Sequence, residues 1–202
     1  MTLVGFKRMK IQTFDADMKP LGDLIVIEGK QDKGATTSAE ISGLSKEPTK
    51  VAGSDIEYYI SRKGVGDVKA ELGVLDFPED GSDRVLGYVT DETNKLTYIG
   101  SKTEAPYCGV LLESSTLSGG KALLGFLKGT FSRDKISMNT LDPAETFKPE
   151  ADSYTFSSIA SDAEGPQNGQ NVVKYIGDDA TAIAELEKEV LGVKAPTEGG
   201  AA

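Results

Sequence analysis

Apolar and polar residues alternate with a period of two through much of the chain, a pattern typical of β-strands with one face on a core. The clearest stretch covers residues 67–75, with Val68, Ala70, Leu72 and Val74 on one face and Asp67, Lys69 and Glu71 on the other. Residues 54–61 repeat the pattern, with Ile56, Tyr58 and Ile60 predicted on one face and Asp55, Glu57 and Tyr59 on the other. This alternation predicts a mainly β protein.

Further strand-like segments are separated by turn residues. They cover residues 5–14, 24–27, 34–44, 95–99, 107–114, 121–131, 153–160 and 172–176. Leu117-Ser118-Gly119-Gly120 predicts the turn of a hairpin. The proline-containing segment 141–152 cannot continue a central strand and predicts an exposed acidic loop.

Two segments carry helix signals instead. Pro78 followed by acidic residues indicates a helix start, because the first helical turn favours negative charge, and Gly87 predicts the helix end. Near the C-terminus, Asp178 or Asp179 can cap a second helix that ends at Gly192. The apolar stripe of this second helix consists of Ile183, Leu186 and Val190.

These elements predict an antiparallel β-sandwich or partly open barrel with a short internal helix and a C-terminal helix. No internal repeat or shift in composition marks a second domain. The sequence therefore predicts a single domain over residues 1–194, and the small polar residues 195–202 predict a disordered tail.

The residue types that run most chemistry near neutral pH are nearly missing. The 202 residues include no histidine and one cysteine, which removes most candidate acids, bases, nucleophiles and metal ligands. Cys108 lies in a strand-like segment and is predicted to pack as a small apolar side chain. We therefore predict no catalytic residue, no metal site and no cofactor, while a pair of carboxylates that meets only in space stays open.

Short motifs that could suggest chemistry have structural explanations. Ser118 and Lys121 have the spacing of an acyl-transfer motif, but the two glycines between them favour a turn over the helix which that motif needs. The acids Asp76, Glu79, Asp80 and Asp83 lack the ligand spacing of a calcium loop, and a charged helix start explains them.

The net charge of the chain limits which kinds of partner it can bind. Asp and Glu outnumber Lys and Arg by 32 to 22, giving a net charge of −10, and such a surface disfavours binding to nucleic-acid phosphates. Residues 1–20 have no apolar block like that of a secretory signal, and no apolar run is long enough to cross a bilayer. The sequence predicts a soluble protein in the cytosol that does not bind membranes.

Polar residues follow whole faces of the predicted strands. The positions are Thr36, Ser38 and Glu40; Asp55 and Glu57; and Asp67, Lys69 and Glu71. One interpretation is the solvated outer face of a sandwich. The other is the inner wall of a ring, in which neighbouring subunits join their sheet edges around a polar, acidic lumen.

Several segments resemble the major tail proteins, or tail tube proteins, of long-tailed phages that infect low-GC Gram-positive bacteria. The resemblance lies in residues 29–87, in EAPYCGVLLES (104–114), in KALLGFLKGTFS (121–132), in SIASDAEG (158–165) and in VKYIGDD (173–179). It implies a β-sandwich subunit flanked by a helix, without enzyme activity. It also implies hexameric rings that stack into a hollow tail tube through which DNA passes.

The resemblance further implies partners and contacts. The partners would be other copies of the chain, the tape measure protein and DNA inside the tube without specific binding, and the tail terminator and distal tail proteins. The protein would reside in the virion, and in the host cytoplasm before assembly. A long N-terminal loop or hairpin and the termini would bridge neighbouring rings. The matching segments are 15–22 and 46–53, with candidate contacts Asp15, Asp17, Lys19, Lys46, Glu47 and Lys50.

Two other classes of function stay open from the residues alone. A carbohydrate-binding β-sandwich module would also be acidic and rich in strands, although the lack of Trp disfavours an aromatic sugar platform. An enzyme that uses only carboxylates is the second.

Overall fold

The computed structural model describes residues 2–142, 144 and 146–192. In these residues it contains twelve strands and two helices. The strands are β1 (Leu3–Phe14), β2 (Pro20–Ile27), β3 (Ala35–Ser42), β4 (Thr49–Gly53), β5 (Ile56–Ser61), β6 (Lys69–Leu75), β7 (Val89–Thr90), β8 (Thr97–Tyr98), β9 (Tyr107–Thr116), β10 (Lys121–Ser132), β11 (Asp152–Ser158) and β12 (Val172–Ile176). The helices are α1 (Glu79–Leu86) and α2 (Ala180–Leu191).

Eight strands form one antiparallel sheet in the order β2-β1-β9-β10-β11-β6-β3, with β12 also paired to β10. The long strand β10 divides this sheet into two walls. Its residues 122–126 pair with β12, whereas its residues 129–132 pair with β11. The first wall is therefore β2-β1-β9-β10-β12, and the second is β3-β6-β11 with the end of β10.

The inner faces of both walls bury one common core. Met9 and Val110 come from the first wall, and Leu72 and Phe156 come from the second. The Phe156 ring meets those of Phe126 and Phe131 edge to face, with centroids 5.5 and 5.0 Å apart, a favoured geometry for aromatic pairs. This packing makes the fold a sandwich, and the sheet does not close into a barrel.

Helix α1 packs on the main core through Val85 and Leu86. It follows Pro78, and Gly87 ends it in the left-handed conformation, which costs glycine little. The Ser82 hydroxyl lies 3.0 Å from the Tyr154 hydroxyl, so both buried groups are hydrogen-bonded.

Helix α2 covers the outer face of the first wall. Its Leu186, Val190 and Leu191 pack with Leu111 and Leu123 in a second apolar cluster. The Asp179 carboxylate accepts hydrogen bonds from the Thr181 and Ala182 amides, and these bonds lower the pKa of Asp179. Gly192 ends the helix in the left-handed conformation.

The predicted fold class is confirmed: the protein is mainly β and antiparallel, with an internal and a C-terminal helix. Both predicted helices lie where the sequence placed them, and residues 117–120 form the predicted hairpin turn. The single domain over 1–194 stays a prediction, and residues 195–202 lie outside the described part of the chain.

Candidate functional site

Most of the outward face of the second wall is hydrophilic, and only the row at its end, Ala35 opposite Leu75, is apolar. Cross-strand pairing arranges eleven residues of β3, β6, β11 and β10 in three rows. The rows are Ser42, Lys69, Ser157 and Thr130; Glu40, Glu71, Thr155 and Ser132; and Ser38, Gly73 and Ser153. We call these residues the polar sheet face. Because side chains alternate along a strand, the residues between them point into the core.

The polar sheet face has a net negative charge. Glu40 lies directly opposite Glu71, an arrangement of like charges that destabilises a sheet pair. Lys69 is the only cation on this face, and its ammonium binds the Asp67 carboxylate at 2.6 Å. This hydrogen bond raises the pKa of Lys69. The Asp67 carboxylate thus compensates Lys69, whereas the two glutamates face each other.

A β-bulge in β3 takes Thr36 off this face, where the sequence pattern predicts it. The pairing of β3 with β6 shifts by one residue between Thr36 and Ser38. Thr36 is therefore opposite the buried Val74, and its hydroxyl donates to the Phe6 carbonyl at 2.7 Å. The prediction that Thr36 shares a face with Ser38 and Glu40 is wrong, because a one-residue bulge inverts the side on which a residue lies.

Two other predicted wall residues lie on a separate hairpin. Strands β4 and β5 pair with each other in a two-stranded sheet apart from both walls. Asp55 lies in the turn of this hairpin with a positive φ of 66°, and the Glu57 carboxylate accepts from the Lys50 ammonium at 2.9 Å. The structure therefore brings Ser38, Glu40, Lys69 and Glu71 together with Asp67 beside them, but not Asp55 or Glu57.

The β4–β5 hairpin exposes apolar side chains on both faces. A register shift after Val51 pairs Ala52 with Glu57, so Glu57 and Ile60 share a face with Lys50. The other face carries Val51, Ile56 and Tyr59. The predicted common face for Ile56 and Ile60 is therefore wrong. Since Ile56 and Ile60 are 63% and 61% exposed, neither face is covered by the rest of the described chain.

A second, shorter hairpin is formed by β7 and β8. Val89 pairs with Tyr98, and both side chains are exposed. The predicted strand over residues 95–99 is thus reduced to two residues at an exposed edge.

Five of the six predicted bridging residues lie in turns or connections, whereas Lys50 lies in β4. In the β1–β2 turn, the Asp15 carboxylate accepts from the Asp17 and Lys19 amides at 2.9 Å each. Lys46 and Glu47 are exposed in the connection before β4. These residues are accessible, and their role in contacts between copies stays a prediction.

Several sheet edges are open to other chains. Within the described residues, β2, β3 and β12 each pair along one edge only. Part of the β2 edge is covered, because the Arg84 guanidinium donates to the Asp23 carbonyl. Unpaired edges are templates for strand addition by another chain.

Comparison with protein families identifies the chain. A family model described as phage tail tube protein matches residues 1–197. The chain belongs to the phage tail tube protein family. Comparison with curated proteins returned no match. The family supports a structural role in the virion as part of the tail tube.

The described part of this tail tube protein shows no cluster of metal ligands, and its cysteine is buried. In residues 2–142, 144 and 146–192, no three His, Cys, Asp or Glu side chains gather as metal ligands would. Cys108 is fully buried, and its burial raises the pKa of the thiol to about 12. Neither described helix combines the length and apolar character needed to cross a membrane.

Sequence reasoning missed most of the polar sheet face. The members not predicted are Ser42, Gly73, Thr130, Ser132, Ser153, Thr155 and Ser157. A signal existed in β11, where Thr155 and Ser157 alternate with buried Tyr154 and Phe156. What the sequence could not supply was the strand order that places β11 and the end of β10 beside β6.

Proposed function

We propose that this tail tube protein assembles into hexameric rings that stack into a hollow tube, with the polar sheet face lining the channel that conducts DNA to the host. The observation that carries the proposal is the run of three neighbouring hydrophilic rows on that face, beside unpaired sheet edges. The tape measure protein and DNA would occupy the channel without specific binding. The tail terminator and distal tail proteins would meet the ends of the tube.

The chemistry of the polar sheet face suits a wall past which a polyanion slides. Its Ser and Thr hydroxyls hold water, and the Glu40–Glu71 pair repels phosphates at short range. Six copies would repeat this carboxylate pair around the channel. DNA would therefore pass through without being retained.

Assembly must overcome the charge of the chain. Each copy carries a net charge of −10, so copies repel one another at low ionic strength. Strand pairing and burial of the exposed hairpins supply the opposing attraction. Added salt should therefore lower the concentration at which rings form.

Negative-stain electron microscopy and sedimentation of the purified protein test the assembly. We expect rings or tubes that become more abundant as salt increases. A strictly monodisperse monomer at high protein and salt concentrations would refute the proposal.

The orientation of the polar sheet face needs a separate test. Thr155→Cys places a thiol on this face, and Glu185→Cys places one on the exposed side of α2, while native Cys108 is buried. In assembled tubes, a small maleimide should label both variants, whereas a bulky polymer-linked maleimide should label only Glu185→Cys. Equal labelling of both variants by the bulky reagent would place the polar sheet face outside the channel.

A further inference from the structure

The first half of β2 is bulged, and its carbonyl groups accept hydrogen bonds from side chains. The register shift between β1 and β2 leaves three residues of β2 without partners in β1. The buried Gln12 amide donates to the Leu21 and Gly22 carbonyls at 3.3 and 3.2 Å. The Asp23 carbonyl accepts from the Arg84 guanidinium. Gln12 belongs to β1, so Arg84 on α1 is the donor that reaches β2 from outside the sheet.

We infer that Arg84 is a latch: its guanidinium holds the β2 edge closed in the free chain and must swing away before another copy adds a strand to this edge. The inference rests on the proposed self-assembly and adds a control on when it begins. An uncovered sheet edge is a template for strand addition at any time, and proteins protect such edges with bulges and charged side chains. Here the bulge and the charged side chain act on the same residues of β2.

The backbone beside the latch has room for the guanidinium. Gly22 has a φ of 68°, a conformation that glycine adopts at little cost. A Cβ on Gly22 would lie 2.6 Å from the Arg84 Nη1, whereas normal contacts between heavy atoms need about 3.5 Å. A larger residue at position 22 would therefore push the guanidinium out of its place without removing it from the chain.

The Arg84 contact is weak enough to open. In the described part of the chain, Arg84 belongs to none of the ion pairs, and its guanidinium donates to one main-chain carbonyl. The Arg84 Nε is buried without a hydrogen-bond partner. An unsatisfied buried donor costs free energy, and this cost disappears when the guanidinium returns to water. The latch can thus open without disturbing the core.

A groove beside Arg84 leaves space for an incoming strand. It lies between β2 and α1, has a volume of about 380 Å³, and is lined by Leu24, Val26, Pro78, Gly81 and Arg84 among others. In strand addition, main-chain hydrogen bonds supply the attraction, and pockets for alternate side chains supply the selectivity. A second copy of the chain offers suitable strands, because β3 and β12 each have an unpaired edge within the described residues.

Removal of the donor gives the first test. Arg84→Met keeps a side chain that packs but cannot donate to Asp23. Sedimentation velocity at a series of protein concentrations measures where self-association begins. We expect this onset concentration to fall roughly fivefold or more relative to the unmodified chain, because a competing hydrogen bond is lost.

Lys102→Met is the control for charge. Lys102 is exposed, and its substitution removes one positive charge, as Arg84→Met does. Because the chain is already acidic, this loss by itself increases the repulsion between copies. Lys102→Met should therefore associate at the same or a higher concentration, so the two variants should change the onset in opposite directions or only Arg84→Met should lower it.

Displacement of the guanidinium gives the second test. Gly22→Ala places a Cβ against the Arg84 Nη1 and should lower the onset concentration as Arg84→Met does. Gly29→Ala is the matched control, because Gly29 has a similar φ of 76° and no atom lies within 4 Å of its added Cβ. It adds comparable backbone strain and should leave the onset unchanged. In the Arg84→Met protein, Gly22→Ala should have no further effect on the onset.

Hydrogen exchange followed by mass spectrometry locates the edge that is joined. Peptides covering residues 21–27 should gain protection when the unmodified chain associates, because the amides at the β2 edge then acquire partners. The free Arg84→Met protein, in contrast, should show faster exchange in these peptides than the free unmodified chain.

The outcomes separate this inference from the proposed function. If either folded variant, Arg84→Met or Gly22→Ala, begins to associate at the same concentration as its control, the latch is wrong. Unchanged exchange of residues 21–27 in the associated protein also overturns it, and both results leave rings and tubes intact. If electron microscopy of the unmodified chain shows only irregular aggregates, the proposed function is wrong, while the ratio of onset concentrations still tests the latch.

Discussion

Helix α2 lies so close to the first wall that two glycines are needed beneath it. A Cβ on Gly109 would lie 1.9 Å from the Val190 carbonyl oxygen, and a Cβ on Gly125 would lie 2.4 Å from the Val190 Cγ2. Normal contacts between heavy atoms need about 3.5 Å. Gly109 therefore meets the backbone of α2, whereas Gly125 meets a side chain.

This difference predicts different responses to a second substitution. Gly109→Ala and Gly125→Ala should each lower the free energy of unfolding by about 1–3 kcal/mol through overpacking, with Gly109→Ala at the upper end because backbone must move. Val190→Ala alone should cost about 2 kcal/mol. In the Val190→Ala protein, Gly125→Ala should cost less than about 0.5 kcal/mol, a coupling of about 1–2 kcal/mol. In the same Val190→Ala protein, Gly109→Ala should lower the free energy of unfolding by as much as it does in the unmodified chain.

Urea unfolding followed by circular dichroism measures these free energies. Gly100→Ala is the control, because no atom lies within 4 Å of its added Cβ, and it should change the stability by less than about 0.5 kcal/mol. If Val190→Ala reduces the destabilisation caused by Gly109→Ala as fully as it reduces that caused by Gly125→Ala, the assignment of a backbone clash is wrong. A Gly109→Ala protein as stable as the unmodified chain would refute the close docking of α2.

Three further predictions concern buried or paired polar groups. The Lys128 ammonium lies 2.9 Å from both oxygens of Asp162 and lowers the pKa of that carboxyl. The pKa of Asp162 is lower in the folded state than in the unfolded state, so the pair stabilises the fold above about pH 4 and loses this effect as the pH falls further. Lys128→Met should therefore remove this contribution to acid unfolding, which circular dichroism measures. Cys108 should react with a thiol reagent only at the rate of unfolding, and rapid labelling of the native protein would contradict its burial. Tyr154→Phe removes the bond to the buried Ser82 hydroxyl and should cost about 1 kcal/mol in urea unfolding, while an unchanged midpoint would show that the bond contributes nothing.

The helices were predictable because their signals are local. Asp179 caps α2 through amides two and three residues away, and Gly87 and Gly192 end their helices by adopting the left-handed conformation. These effects depend on neighbours along the chain, so the sequence contains all the information. The alternation in β6 was equally clear, because one face of that strand is fully buried.

The faces of β3 and β5 could not be predicted, because each contains a register shift. A bulge depends on how a strand pairs with its partner, and alternation in one strand gives no sign of it. The shift near Thr36 placed a predicted wall residue on the inner side of the sheet, opposite Val74, and the shift after Val51 separated Ile56 from Ile60. The polar sheet face was only partly predictable for a related reason, since strand order is set by pairs distant in sequence.

The two outer faces of the sandwich differ in a way that an ordinary solvated surface does not require. Apolar atoms contribute more than half of the accessible surface of a typical folded protein, so a sheet facing bulk water tolerates scattered apolar side chains. The three rows of the polar sheet face have none, although the next row of the same wall consists of Ala35 and Leu75, and seven of the eleven residues are Ser or Thr. Short hydroxyl side chains keep a wall hydrated without projecting far from the sheet, and Glu40, Lys69 and Glu71 are the only long side chains among these eleven residues. A predominance of short side chains is expected where space is limited on the polar side, as it would be in a narrow channel occupied by a moving polyanion.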